Sequence, residues 1–264
     1  MKNKIRGEFI LKFLIVGDVC GRPGREYVPE LKKEHNIDVV VVNGENIAGG
    51  RGISRKTLDE IYRAGADIVT SGNHIWDQKE IVSFIDDEPF LIRPANYPEG
   101  APGKGYCIYP FKAKNIGVIN VSGRTFMPPM DCPFQKVDEI LKEIKNQCDI
   151  ILVDIHAEAT SEKIAMGFYL DGKVTCVVGT HTHVQTADNR ILPKGTAYIS
   201  DLGMVGPYNS SLGINVNNAI DKFITCRPVR FEMAEGPNIF SAVVLELAED
   251  NSVKSFERIL FNEE

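Results

Sequence analysis

Four of the five histidines in this 264-residue sequence fall in short polar clusters that follow apolar, β-branched runs. These clusters are Asn73-His74, Asp154-Ile155-His156 and Gly179-Thr180-His181-Thr182-His183. Two similar clusters, Gly17-Asp18 and Asn43-Gly44-Glu45-Asn46, carry acids and amides. Each has an ordinary explanation on its own. Asp18 could cap the helix that follows it, and Glu45 with Asn46 could be turn residues beside Gly49, Gly50 and Gly52. Asn73-His74 could be a turn held by local hydrogen bonds, and His156 a core histidine with satisfied partners. His181 and His183, two apart, would project to one side of an extended segment, yet an exposed turn would tolerate them equally. Their concentration argues for chemistry, because only His35 lies elsewhere.

Carboxylate, amide oxygen and imidazole donors together suit Mn, Fe or Zn rather than Ca. The donors are numerous enough for two ions. A pair of ions about 3.5–4 Å apart can clamp phosphate oxygens, polarise phosphorus and generate hydroxide at neutral pH. That is the chemistry of phosphoester hydrolysis. The six cysteines are widely spaced, without a Cys-x-x-Cys pair, which points to reduced buried thiols rather than a structural zinc site.

The elements that must position these donors read as a βαβ cycle in the first third of the chain. Strands are expected over Lys12–Val19, Asp38–Asn43 and Asp67–Ser71, with helices near Gly24–Glu34, Lys56–Ala64 and Asp77–Ile85. Ser54 suits an N-cap for the second helix. The unbroken apolar runs Phe-Leu-Ile-Val and Val-Val-Val-Val imply strands covered on both faces. A hairpin over Gly105–Phe111 and Asn115–Val121 follows, then a helix at Phe134–Lys145 and strands at Asp149–Asp154 and Val174–Val178. The remainder reads as strands at Ala197–Ile199, Val229–Glu235 and Phe240–Leu260, with a helix near Val216–Phe223. In open α/β sheets, sites form in the crevice beyond the strands' carboxyl ends, where all five clusters would converge.

The length fits one layered domain spanning residues 1–264. A net charge of -6 argues against broad neutralisation of duplex DNA, while a small phosphorylated substrate remains compatible if divalent cations reverse the local repulsion. No apolar run reaches the roughly 18 residues of a membrane helix. The N-terminal Phe9–Val16 stretch enters a motif directly, so the chain is expected in the cytoplasm.

The order Gly-Asp, Gly-Glu-Asn, Gly-Asn-His, His and Gly-Thr-His-Thr-His resembles the calcineurin-like metallophosphoesterase superfamily. The longer strings GDVCGRPGR, NGENIAGGRGIS, SGNHIWD, DIHAEATSEK and GTHTHVQTAD are similar to its YmdB-like branch, nearly end to end. The resemblance implies an α/β, four-layer fold: two mixed β-sheets sandwiched and flanked by α-helices. It implies one ion held by Asp18, Glu45, Asn46 and His183 and another by Glu45, Asn73, His156 and His181, with Glu45 bridging. His74 would act on substrate as the catalytic residue, stabilising charge or protonating the leaving oxygen.

Where the superfamily usually has Asp-x-His, this chain reads Asp18-Val19-Cys20, and Glu45 replaces the usual bridging Asp. Asn46 then fills the coordination left by the missing histidine, Cys20 is a packing residue, and the oxygen-rich first site favours Fe or Mn. The branch implies hydrolysis of small cyclic nucleotides such as 2′,3′-cyclic AMP. A phosphomonoesterase, or a regulatory protein with a secondary metal centre, remains an alternative. The branch also admits a homo-oligomer and a regulatory protein partner. Base contacts could come from Ser122–Phe126 and Tyr208–Ser211, although both segments suit plain surface turns.

Overall fold

The computed structural model describes residues 10–230 and 232–263. The chain builds twelve strands among these residues: β1 Leu11–Val19, β2 Val39–Asn43, β3 Ile68–Thr70, β4 Tyr106–Phe111, β5 Lys114–Ser122, β6 Ile150–His156, β7 Cys176–Thr180, β8 Arg190–Ile191, β9 Ala197–Ile199, β10 Met204–Pro207, β11 Asn238–Leu247 and β12 Val253–Asn262. The helices are α1 Pro23–Glu34, α2 Arg55–Arg63, α3 Pro133–Ile144, α4 Thr160–Leu170 and α5 Val216–Thr225.

The strands form two six-stranded sheets, ordered β12-β11-β10-β1-β2-β3 and β4-β5-β6-β7-β9-β8. Both are mixed: β1, β2, β3 and β10 run parallel, as do β5, β6, β7 and β9, while β11, β12, β4 and β8 pair antiparallel. Side-chain alternation decides which core each residue enters. Phe13 and Ile15 of β1 meet Ile116, Val118, Leu152 and Val178 between the sheets. Leu14 and Val16 point outward to Val28 and Leu31 of α1 and Leu58 and Ile61 of α2. On the far side, Val121, Val153 and Ile155 pack against Val137 and Ile144 of α3 and Met166 of α4. Three cores therefore separate four layers, helix, sheet, sheet, helix.

The parallel strands bring their carboxyl ends to one edge of the sandwich. Val16 pairs with Val42 but Asp18 with Asn43, a register shift at Gly17 that bends the end of β1 and re-aims Asp18. The two sheets are also joined by polar groups at that edge. Asp154 of β6 accepts from Asn43 of β2 at 3.1 Å, Thr70 of β3 at 2.5 Å and Thr180 of β7 at 2.7 Å.

The expected helix at Asp77–Ile85 is instead two 3-10 turns, Lys79–Ser83 and Ile85–Asp87, interrupted at Phe84. Ile81, Phe84 and Ile85 do turn inward at helical spacing, but Pro89 forces Glu88 into an extended conformation, which leaves too short a run to sustain a helix. In Val229–Glu235 no strand forms among the described residues; Met233 alone bridges, to Ile214, and Phe231 lies outside them. Phe240–Leu260 resolves into the β11–β12 hairpin. Helix α4 and strand β10 carried no clear sequence signal. Ser54 caps α2, accepting from Thr57 N–H in a reciprocal capping box.

Phe13 is fully buried between the sheets. Phe13→Ala is expected to lower unfolding free energy by about 3–5 kcal/mol in urea titrations. A loss below about 1 kcal/mol would show that the sheets collapse around the gap.

Candidate metal centre

The seven predicted ligands and His74 converge at the carboxyl-terminal edge. Glu45, His156 and His181 present donor atoms within 4.8 Å of one another, and so do Asp18, Glu45 and His183, with Glu45 common to both groups. Asp18, Glu45, Asn46 and His156 are buried, while His181 and His183 reach the wall of a cleft of about 400 Å³.

In the first group, one nitrogen faces too many partners. Nε2 of His156 lies 3.0 Å from Asn73 Oδ1, 3.0 Å from His181 Nδ1 and 3.2 Å from Glu45 Oε1. An imidazole nitrogen offers one proton or one lone pair, so these contacts cannot all be hydrogen bonds. They match donors gathered around a common cation. Thr180 Oγ1 gives its proton to Asp154, so it accepts from His156 Nδ1–H at 3.0 Å. That arrangement turns the Nε2 lone pair toward the donor group. Nε2 of His181 sits 3.2 Å from Glu158 Oε2, which leaves its Nδ1 facing inward in the same way.

In the second group, Nδ1 of His183 donates to the Leu212 carbonyl at 3.2 Å, freeing Nε2. Asp18 Oδ2 accepts the His181 backbone N–H at 3.0 Å. The other carboxylate oxygen, Asp18 Oδ1, and the amide oxygen of Asn46 are buried with no hydrogen-bond partner. Orphaned buried oxygens are rare and costly, and a divalent cation satisfies both. Cys20 packs with its sulfur 3.8 Å from His183 Nδ1, the nitrogen turned away from the donor group. Burial and the charges of Asp18 and Glu45 push its thiol well above the usual range, as befits a packing residue.

Charge crowding shapes the titration of the whole cluster. Burial would lower the His156 imidazole, yet Glu45 and Asp18 push it up to about 9, so without a cation Nε2 carries a second proton that a bound cation would displace. Burial would raise Glu45, yet His156 and His74 bring it down to about 2. Burial and the charge of His156 depress His181 to about 3, so it stays a neutral donor. Burial raises Asp18 well above the carboxylate range despite His156. Two carboxylates held this close in a dry site call for positive charge.

The backbone leaves room for that charge. A Cβ on Gly72 would stand 2.3 Å from both Glu45 Oε2 and His156 Nε2. His181 and His183 adopt left-handed backbone angles, with φ of 98° and 64°. Non-glycine residues there store strain, which tends to mark functional sites.

His74 stands at the rim of the same cleft. Its backbone N–H donates to Glu45 Oε2 at 3.1 Å and its ring Nδ1 meets Asp77 Oδ2 at 2.9 Å. Asp77, Glu158, Asp154 and Thr180 also serve these rings; all four lie within the strings SGNHIWD, DIHAEATSEK and GTHTHVQTAD, but nothing in their spacing declares which ring each orients. None of the cleft-lining residues belongs to 122–126 or 208–211. The wall comes from 48–51, Gln78, Leu212, Ile214, Glu232 and Met233.

The sequence matches the family model for YmdB-like proteins over residues 14–259. It is 52% identical over 260 residues to the Bacillus subtilis (strain 168) protein named 2′,3′-cyclic-nucleotide 2′-phosphodiesterase, covering 96% of this chain and 98% of that one. The chain belongs to the YmdB-like family. The YmdB-like fold recurs in a hypothetical protein from Thermus thermophilus, with a TM-score of 0.91, 40% identity and coverage of 96% of this chain and 100% of that one. It recurs too in a novel phosphatase from Mycoplasma pneumoniae, with a TM-score of 0.91, 35% identity and coverage of 97% and 95%. The four-layer metallophosphoesterase architecture expected from the motifs is thus the one this YmdB-like chain adopts.

Gly72→Ala in this YmdB-like chain is expected to leave a folded protein whose Mn²⁺ affinity falls by at least about tenfold in calorimetric titration. Unchanged affinity would mean that Glu45 and His156 are not held where the donors converge.

Proposed function

We propose that the chain is a two-metal phosphodiesterase that hydrolyses small 2′,3′-cyclic nucleotides in the cytoplasm. The observation that carries this reading is the pair of donor groups sharing Glu45, with orphaned oxygens on Asp18 and Asn46. Asp18, Glu45, Asn46 and His183 would hold one ion, and Glu45, Asn73, His156 and His181 the other. The oxygen-rich first set, with no cysteine ligand, favours Fe or Mn. Bound there, the ions would supply charge neutralisation for the phosphate and an acidified water as nucleophile. The named activity of the Bacillus subtilis relative supports the choice of a cyclic diester.

The protein's own side chains supply the rest. Thr180, Glu158 and the Leu212 carbonyl fix the orientations of His156, His181 and His183, so little rearrangement accompanies substrate binding. Asp77 engages Nδ1 of His74 and leaves Nε2 as the ring nitrogen available to substrate. When water adds to phosphorus and one ester P–O bond of the cyclic phosphate breaks, the departing ribose oxygen takes the Nε2 proton of His74, while the proton released by the attacking water passes to solvent, from which His74 is recharged. Arg51, on the same cleft wall and 4.0 Å from Asp77, offers a cation to a phosphate oxygen.

His74→Ala is expected to lower kcat for 2′,3′-cyclic AMP by about 10²–10⁴-fold while bound metal stays at the wild-type level. Wild-type turnover in that variant would remove His74 from the mechanism. Wild-type protein should also turn over the cyclic diester faster than 3′-AMP or p-nitrophenyl phosphate. The reverse preference would make the enzyme a phosphomonoesterase.

A further inference from the structure

Thr182 lies between the two histidines of the Gly-Thr-His-Thr-His segment, and its environment differs from theirs. Its backbone N–H donates to Asp201 Oδ2 at 3.1 Å and its hydroxyl to the same oxygen at 2.6 Å. That oxygen also receives Lys163 Nζ from α4 at 2.6 Å. Lys163 and Asp201 are each 1% exposed, a complete ion pair inside the protein. The other oxygen, Asp201 Oδ1, accepts the Gly203 N–H at 2.8 Å, and the Gly203 carbonyl in turn accepts the Asp18 backbone N–H at 2.9 Å. One carboxylate is therefore connected to the residue between His181 and His183, and through one more hydrogen bond to Asp18.

The surrounding structure is cut to admit the lysine. A Cβ on Gly179 would lie 2.8 Å from Lys163 Cδ and 1.8 Å from the Ser200 carbonyl oxygen, so only glycine lets the lysine stem and the 200–201 segment pass. Burying an ion pair adds little to stability alone, since an apolar pair of similar volume often does as well. Directional, charge-assisted hydrogen bonds are what such a pair adds. Here they fall on a segment whose histidines hold left-handed angles that the chain would otherwise leave.

We propose that Asp201, neutralised by Lys163, is the positioning residue of the metal centre, holding His181 and His183 in their strained conformations and setting Asp18 opposite them. This inference rests on the ligand assignment under Proposed function. It predicts that removing the Asp201 contacts degrades metal affinity out of proportion to any loss of fold stability.

The test is calorimetric titration of the full chain with Mn²⁺, beside thermal unfolding of the metal-free protein. Asp201→Asn is expected to weaken Mn²⁺ binding by about 10–100-fold, the range found when groups that orient metal ligands are lost. Asp188→Asn is the control, because Asp188 bonds Thr186 and Ser200 on the same segment without touching Thr182. It should bind Mn²⁺ like wild type even where its melting temperature falls as far.

If Asp201→Asn does not fold, Thr182→Val and Thr182→Ser carry the test. Valine removes only the hydroxyl donor and should weaken binding, whereas serine restores it. Wild-type affinity in Asp201→Asn or Thr182→Val would overturn the proposal, as would equal losses in Asp188→Asn. Failure of the wild-type protein itself to bind Mn²⁺ would overturn the ligand assignment, and this inference with it.

Discussion

A carboxylate sealed between two sheets sets the terms for everything around it. Glu45 is 1% exposed, and the penalty for an ionised group in such a place is several kcal/mol unless positive charge and hydrogen bonds offset it. It follows the all-buried strand β2, which fixes its depth; the sheets' carboxyl ends fix its neighbours. His156 on the second sheet and the His74 N–H supply part of the compensation. Asp18 on the first sheet places a second carboxylate nearby, one that burial holds toward its neutral form, so its ionisation calls for a cation. Glu45 belongs to both donor groups, its carboxylate lying within 4.8 Å of donor atoms on Asp18 and His183 and of donor atoms on His156 and His181.

Holding those side chains is the work of hydrogen bonds that lie just outside the donor atoms. Asp154 bridges Asn43 and Thr70 from one sheet to Thr180 on the other, and Thr180 in turn fixes His156. The two sheets can thus meet at the site with a defined spacing even though apolar packing between them is non-directional. Burial raises the Asp154 carboxyl, against the pull of Thr70, His156, Thr180 and Asn43. The same logic recurs at Asp201, Glu158 and Asp77, each an acid placed against a residue that carries or flanks an imidazole.

The residues that converge at this edge are legible in sequence because each follows a recognisable strand and because histidine is scarce. Strands β1 and β2 announce themselves through continuous apolar runs, and their polar termini through the abrupt change in character. Other features were hidden. Helix α4 has no side-chain cap and a mixed apolar pattern, since Lys163 occupies a buried position on it. The turns at Lys79–Asp87 carried helical spacing that a proline overrides. Asp77 and Glu158 were visible as letters in motifs but not as partners, because which ring they orient depends on backbone turns three residues long or on strands far apart in sequence. Asp201 lies 19 residues from Thr182, beyond any local pattern. The cleft wall at Leu212, Ile214 and Met233 depends on an irregular excursion between β10 and β11 whose path no periodicity encodes.

Electron paramagnetic resonance of the full chain loaded with two equivalents of Mn²⁺ tests the sharing of Glu45 most directly. An exchange-coupled spectrum from ions about 3.5–4 Å apart is expected, collapsing to uncoupled signals in Glu45→Gln. Two uncoupled Mn²⁺ signals in the wild-type protein, or a coupled pair that survives Glu45→Gln, would contradict it.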